Sequence, residues 1–348
     1  MQQLTIALIA DSLTENALSL EAKILNITPT NYKSMIRNHK IDFLFIESAW
    51  MGYKNSWKYK IASYAPKYHF KFKPINYILN TLFPRNNNVL IKTIKYFQHK
   101  NIPTIFWNKE DGIHFERFIN SAKHCDYIFT VDENCIEKYK KFTKNKKYIG
   151  TLPFAIQPKF HNFTGFNFKF PQANFIGSYS KHIHNKRRIW QNSMFEIADR
   201  ISGLAIFDRN SNRTSDNYRF PTNLKNTKIF PAISNQETAQ IYKDYLISLN
   251  VNTIEDSPTM FSRRLIEIIA CGGIAITNNT PAVEKYFKDY CFTVDNPAEI
   301  EEIILKLHKY GPTKEDLQRI KKGALYIAKH HTWQIRLKHI WQIIKTYE

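Results

Sequence analysis

Short apolar runs of strand length recur along this chain with helix-patterned stretches between them, and that alternation constrains its fold more than any other feature. Leu4–Ala10, Ile41–Ile46, Ile102–Trp107 and Tyr127–Val131 are each largely apolar. A strand covered on one face alternates apolar with polar residues; a strand covered on both faces does not. The runs therefore predict a parallel sheet with helices on both sides. Helices are expected from the first run to about Leu25, from Thr28-Pro-Thr30, over Val89–His99 and His114–His124, and from an Asp132 cap to about Lys141. A second series has strands at Asn174–Ser178, Leu204–Phe207, Lys228–Phe230, Leu246–Val251, Ile274–Thr277 and Tyr290–Thr293. Its helices are expected over 187–201, 235–244, 261–271, 298–308, 314–330 and 333–347. No internal repeat is visible. Two α/β units joined around Leu152-Pro-Phe-Ala-Ile-Gln-Pro158 predict two domains facing a central cleft, with ligands outside the strands' C-terminal ends.

Composition agrees with this. A chain of 348 residues suggests two domains. Hydrophobic residues at 43% and aromatics at 14% exclude global disorder. No apolar run approaches the roughly 20 residues of a membrane span. The first stretch, Met1-Gln-Gln-Leu-Thr-Ile-Ala-Leu-Ile-Ala-Asp11, has no basic leader and reaches an acid at once, so it reads as a first buried strand and not a signal peptide. The formal charge of +20 favours anionic partners: nucleic acid, acidic polymer, nucleotide or a membrane surface. The richness in Lys, Asn, Ile, Tyr and Phe that AT-rich coding favours competes as an explanation, so charge alone names no partner. Cys125, Cys135, Cys271 and Cys291 have no C-x-x-C spacing and no His cluster beside them. Zinc is not expected, and they read as buried thiols in a reducing cytoplasm.

Between Trp50 and Asn88 the alternation breaks. Trp57-Lys-Tyr-Lys60 and Tyr68-His-Phe-Lys-Phe-Lys-Pro74 belong to a long excursion from a strand's C-terminal end. Long loops in compact domains are commonly functional. The lysines and aromatics of Lys54–Lys100 suit a membrane surface, an acidic glycan or stacked nucleic acid; a solvated excursion with its own small core is the plain alternative. Nucleic acid is the least favoured, because no recognised binding module is present.

The segment that most points to chemistry is Asp256-Ser-Pro-Thr-Met-Phe-Ser-Arg-Arg-Leu-Ile-Glu-Ile-Ile-Ala-Cys-Gly-Gly273, which follows a strand ending in Leu249-Asn250-Val251-Asn252. A polar loop feeding a helix presents backbone N–H groups and a positive dipole end, an anion site. Arg263 and Arg264 in the first turn oppose that dipole, and a bound diphosphate would explain them. Glu267 lies on their side of the helix. It is placed either to accept ribose hydroxyls or simply to pair with Arg263 or Arg264. Gly272-Gly273 reads as the C-cap. Glu110-Asp111-x-x-His114 follows another strand end. Its carboxylates and imidazole suit orienting an acceptor hydroxyl, or Asp111 is the N-cap of the next helix, which would leave Glu110 the better base.

Arg264-x-x-Glu267-x-x-Ala270-Cys271-Gly272 resembles the R-x-x-E-x-x-A-C-G core of the CgeB-like glycosyltransferases, two-domain GT-B enzymes related to retaining family 4. Phe106-Trp-Asn-Lys-Glu-Asp111, His114-Phe115, Asp126–Asp132, Leu152–Ala155, Phe175-Ile-Gly-Ser178, Leu249–Asn252, His331-Thr-Trp333 and Arg336 resemble further markers of that family, in its order. The resemblance implies the GT-B fold: a Rossmann-like acceptor domain over 1–155, a Rossmann-like nucleotide-sugar domain over 156–330, and a helix over 331–348 that crosses back to the first domain. It implies Glu267 on the ribose. It puts Arg264 or Arg263, with the N–H groups around Thr259, Met260, Phe261 and Ser262, on the diphosphate, with Gly177 and Ser178 giving backbone access and Lys186, Arg187 and Arg188 adding charge. Asn250 falls in the nucleotide-domain marker. Where family 4 commonly has E-x₇-E, the first acid's position holds Thr259, with Glu255 and Asp256 nearby but out of register.

The expected protein is thus a cytoplasmic hexosyltransferase-type enzyme, in part docked on the inner membrane face. It would move a sugar from a nucleotide-sugar to a glycan, lipid-linked or polymer acceptor in capsule, teichoic acid or lipopolysaccharide synthesis. Retention follows from the resemblance. No cofactor and no metal are expected, since no Asp-x-Asp lies at a strand end. The competing reading is a non-catalytic nucleotide- or glycan-binding module of a larger assembly.

Overall fold

The apolar runs form two parallel sheets, each of six strands among the described residues. The computed structural model describes residues 3–65, 73–82 and 85–348. The chain divides into two units, Met1–Pro153 with Arg336–Glu348, and Phe154–Ile335.

The first unit holds β1 (Thr5–Ile9), β2 (Lys23–Asn26), β3 (Phe43–Glu47), β4 (Thr104–Asn108), β5 (Tyr127–Thr130) and β6 (Tyr148–Thr151), in the order β2-β1-β3-β4-β5-β6. Every residue of β3, β4 and β5 is buried, as two-sided coverage requires. Its helices are α1 (Ser12–Leu18), α2 (Tyr32–Asn38), α3 (Lys73–Leu82), α4 (Asn88–Gln98), α5 (Phe115–Ala122) and α6 (Ile136–Phe142). The helix expected to reach Leu25 stops at Leu18, and β2 takes over as an edge strand whose partial exposure hid it. The helix expected from Thr28 begins at Tyr32. Thr28 and Asn31 first close a turn, with the Thr28 N–H on Asn31 Oδ1 at 2.7 Å and the Asn31 N–H on Thr28 Oγ1 at 3.2 Å. Helix α3 occupies part of the expected excursion; most of its Tyr68–Pro74 run lies outside the described residues. Asp132 does cap, accepting the Asn134 N–H at 3.1 Å.

The second unit holds β7 (Phe170–Gly177), β8 (Leu204–Asp208), β9 (Thr227–Phe230), β10 (Tyr245–Asn250), β11 (Ile274–Asn278) and β12 (Phe292–Val294), in the order β12-β11-β10-β7-β8-β9. Its helices are α7 (Asn185–Ile201), α8 (Thr238–Asp244), α9 (Arg263–Ala270), α10 (Pro281–Tyr286), α11 (Pro297–Tyr310) and α12 (Lys314–His330). Helix α9 ends as its two glycines require. Gly272 takes φ +74°, its N–H reaches the Ile269 carbonyl at 3.0 Å, and the Gly273 N–H reaches the Ile268 carbonyl at 3.0 Å. The last helix, α13 (Trp333–Tyr347), lies from Arg336 onward in the first unit. There the Arg336 Nε donates to the Pro153 carbonyl at 2.8 Å, and Trp341 and His339 meet Phe43 and Phe129.

In doubly wound sheets, ligands sit at the C-terminal ends of the two strands where the winding reverses. Those strands are β1 and β3 in the first unit and β7 and β10 in the second. The residues that follow them, Asp11, Ser48, Ser178 and Val251, mark where each unit's site should be sought.

Ile340 on α13 is fully buried. Ile340→Ala should cost about 2–5 kcal/mol in urea unfolding of the first unit, as for other buried aliphatic truncations. An unchanged midpoint would mean that the helix adds no packing there.

Candidate functional site

At the reversal point of the second unit, β7 ends at Gly177 and β10 at Asn250, and α9 starts beside them. Arg264, in its first turn, lays its guanidinium 4.5 Å from the centre of the Phe175 ring. Its Nε donates to the Ile176 carbonyl at 2.6 Å and its Nη1 lies 3.4 Å from Asn250 Oδ1. Asn250 is held in turn by Thr277 Oγ1 at 2.9 Å. Gly177 is glycine because a Cβ there would collide with the Arg264 guanidinium. The space that sequence reasoning kept for phosphate over Gly177 thus houses an arginine that phosphate would meet.

Arg187 on α7 and Arg209 after β8 share this corner. Burial, together with repulsion from both, pushes Arg264 down to about 10, and burial with Arg209 lowers Arg187. The Arg187 Nε is buried without a hydrogen-bond partner, and among the described residues neither Arg187 nor Arg264 is ion-paired. The Arg209 N–H binds the Gly177 carbonyl at 3.0 Å, which ties it to the same strand end. Arg209 was missed in the sequence, since only the pairing of β7 with β8 brings it there. The positive charges of Arg187 and Arg209 thus both act against that of Arg264, an opposition that a bound anion relieves.

Glu267 is 5% exposed and pairs with Arg263, not Arg264: Arg263 Nε and Asn235 Nδ2 lie 3.0 and 2.9 Å from it, both on Oε1. Burial alone would raise this carboxyl, but Arg263, His161 and Asn235 outweigh it and hold Glu267 below the usual carboxylate range. His161, itself buried against Thr238 Oγ1 at 2.9 Å, and Asn235 were not visible as partners in the sequence.

The loop before α9 differs from expectation. The N–H groups of Thr259 and Met260 are bound by Ser257 Oγ at 3.3 and 2.9 Å, and the Ser262 N–H by Asn252 Oδ1 at 2.8 Å. Phe261 is core, edge-on to Phe287 at 4.8 Å and His331 at 5.6 Å. The loop's amides are largely spent on its own shape. The donors left for an anion are the guanidinium groups and the first-turn amides of α9. Ser178 lies half-buried, its carbonyl accepting Gln191 Nε2 at 3.1 Å. Glu255, near the absent first acid, is engaged by Trp190 Nε1 at 3.1 Å and Lys186 Nζ at 3.2 Å.

In the first unit, the reversal point gathers residues that sequence reasoning passed over. Asp11, after β1, accepts the N–H groups of Trp50, Met51 and Gly52 at 3.2, 3.1 and 2.8 Å. Gly52 has φ +66° and no room for a Cβ beside Trp57. Lys109 forms an ion pair with the wholly buried Glu47 at the end of β3 and approaches Asp11 at 3.9 Å. The available signal was an acid closing an otherwise apolar strand. Trp50 packs edge-on against His114 at 5.3 Å and Phe118 at 5.1 Å. Burial lowers His114 while the charge of Glu110 raises it, so those two predicted residues are brought together.

Asp111 is a correction. It is not an N-cap: the cap position of α5 is His114, with no side-chain cap bond. Asp111 is wholly buried, accepting Asn108 Nδ2 at 2.6 Å and the Tyr139 hydroxyl at 3.0 Å. Burial pushes its carboxyl from 3.8 to about 7, despite the donors of Thr130 and Tyr139. The four cysteines are buried as expected.

Residues 177–342, just under half of the chain, match a family model described as glycosyl transferase-like. Comparison with curated proteins finds no match. Among solved structures, the chain is similar to an alpha-glucosyltransferase in complex with UDP and a 13-mer DNA containing an HMU base, at 11% identity, 99% coverage of this chain, 100% of that one and a TM-score of 0.61. It is similar to sucrose-phosphate synthase from Thermosynechococcus elongatus, at 10% identity, 99% of both chains and 0.54. It is also similar to a glycosyltransferase from Rickettsia africae ESF-5, at 12%, 100% and 99%, and 0.52. These likenesses show the GT-B fold, and with the family match they support a glycosyltransferase.

Two outcomes follow from this geometry. Arg187→Met should leave the unliganded melting temperature unchanged or higher, because it removes an unpaired cation from like charges. It should weaken pyrophosphate binding about tenfold or more by calorimetry; loss of stability with unchanged binding would assign Arg187 to packing. For Asp111, a raised pKa means the fold keeps a proton that the unfolded chain releases. That contribution is complete below about pH 4 and is lost as pH rises through 7, at up to about 1.4 kcal/mol per pH unit. Wild type should therefore lose stability relative to Asp111→Asn in urea unfolding between pH 5 and 8. Parallel profiles would place the carboxylate in a solvated site.

Proposed function

We propose that this chain is a CgeB-like, retaining glycosyltransferase that moves a sugar from a nucleotide-sugar to a surface-glycan acceptor such as capsule, teichoic acid or lipopolysaccharide. The observation that carries the reading is the convergence of Arg187, Arg209 and Arg264 at the ends of β7 and β8, next to Glu267. When the glycosidic bond to the diphosphate breaks, negative charge develops on the leaving oxygen and positive charge on the sugar ring. Guanidinium groups fixed beforehand stabilise the departing diphosphate without reorganising during the reaction. We read the transfer as needing no metal or other cofactor, these groups and the α9 amides meeting the charge. Glu267, its Oε1 occupied by Arg263 and Asn235, keeps Oε2 for ribose hydroxyls.

In the first unit, Glu110 and the imidazole of His114, kept neutral near pH 7 by burial, are read as orienting the acceptor hydroxyl. The neighbours' UDP supports a nucleotide-linked donor. A non-catalytic module remains the second reading, favoured by Thr259 in place of the first family 4 acid.

Nucleoside-diphosphate release from a panel of nucleotide-sugars separates the two. Wild type should turn over at least one donor, and Glu267→Ala should lose roughly tenfold to a hundredfold in kcat/KM, the worth of charged hydrogen bonds to ribose. Binding of donors with no release across many acceptors would establish the module instead.

A further inference from the structure

From Ser48 to Asn108 the chain carries ten Lys and Arg residues and no Asp or Glu at all. Lys54, Lys58, Lys92, Lys95 and Lys100 within it are exposed, and among the described residues none of them is in an ion pair. In the middle of this tract lies α3, which turns apolar side chains outward: Ile75 is 44% exposed, Ile78 55% and Tyr77 76%. Ile75, Ile78 and Leu79 are spaced i, i+3, i+4, so they form one stripe on the helix. An apolar stripe left in water, on a stretch of chain whose charged residues are all positive, asks for a partner that is both anionic and apolar.

We infer that α3, with the exposed Lys54, Lys58, Lys92, Lys95 and Lys100, docks the protein on an anionic phospholipid surface, the α3 stripe entering the boundary between headgroups and acyl chains. A ten-residue helix lies on a bilayer and does not span it, and among the described residues no helix is long and apolar enough to cross one. A second copy of the chain fits poorly as the occupant, because the same tract would bring like charges face to face. Nucleic acid would meet the charge, and a base would stack on Tyr77, but it would not meet the stripe: aliphatic Ile75, Ile78 and Leu79 have no π-face. An anionic bilayer meets both, each lysine near its surface adding attraction and each isoleucine adding buried area. The inference stands apart from the proposed sugar transfer, because its readout is vesicle binding without donor or acceptor.

The test is co-sedimentation of the full chain with phosphatidylglycerol-containing vesicles and with pure phosphatidylcholine vesicles, at low and high salt, and with duplex DNA as competitor. Binding should need the anionic lipid and weaken with salt. Ile75→Ser with Ile78→Ser should lower vesicle affinity about tenfold or more. Should that variant fail to fold, Lys54→Glu with Lys58→Glu, both on the exposed surface, gives the second arm, with a loss of about tenfold or more. Equal binding to both vesicle types, absence of binding at low salt, or wild-type affinity in the folded serine variant would each overturn the inference. So would displacement by duplex DNA that is indifferent to the serine substitutions, which would make the tract a nucleic-acid surface.

Discussion

Much of the second unit is arranged around one electrostatic problem: Arg264 and Arg187 stand close together, partly out of water, with no carboxylate in ion-pairing reach among the described residues. The fold holds Arg264 by other means. Its cationic plane lies over the Phe175 ring, its Nε is satisfied by a strand carbonyl and its Nη1 approaches Asn250. Gly177 gives up its Cβ so that the guanidinium can lie flat against the strand end. These contacts fix direction without neutralising charge. A site that only needed stability would have paired the arginine or replaced it with an apolar side chain, since buried charges seldom repay their desolvation. Keeping it oriented and uncompensated makes sense for a group whose counter-charge arrives with a ligand.

The first unit solves the opposite problem at its own reversal point. There the charges are paired off. Asp11 is consumed by three amides of the Trp50–Gly52 turn, Glu47 by Lys109, and Asp111 is pushed toward its neutral form in a closed network with Asn108 and Tyr139. The turn so fixed carries Trp50, whose ring packs against His114. What stays outside this network is Glu110, whose charge reaches His114. A rigid polar floor with one carboxylate and one imidazole at its rim suits orienting a neutral hydroxyl better than gripping an anion.

How much of this could be read from the chain depended on the range of the interaction. Continuous apolar runs announced β1, β3, β4 and β5 because burial on both faces leaves a local signature. Edge strands β2 and β6, half-exposed and four residues long, leave almost none. The arginine–glutamate spacing of α9 was legible because i, i+3 and i+4 positions share a face, yet which arginine pairs with Glu267 was not. Arg264 is drawn away by Ile176 and Phe175, some ninety residues earlier. The cap alternative for Asp111 fails for the same reason: Tyr139, the partner that buries it, is 28 residues distant. Arg209, Asp11 and Glu47 become site residues only through strand order.

The Thr259 departure takes on meaning from the loop's hydrogen bonds. Ser257 Oγ holds two of its amides and Asn252 Oδ1 a third, and Asn252 is itself bound to Asn278. Such a loop is shaped before any ligand comes, so binding costs little ordering entropy. The cost is that those amides cannot also cradle phosphate, as they do where a flexible glycine-rich loop closes on a nucleotide. Charge compensation must then come from side chains, which accounts for the arginines converging on this corner from α7, β8 and α9. Thr259 is buried and Glu255 is held by Lys186 and Trp190, so Asp256 is the exposed carboxylate of this loop, and Glu255 is released only where its ion pair opens. Lys186 is largely exposed, and exposed pairs of this kind are worth about 1 kcal/mol or less. Its opening is therefore cheap, and among the described residues it leaves Glu255 held by the Trp190 indole alone.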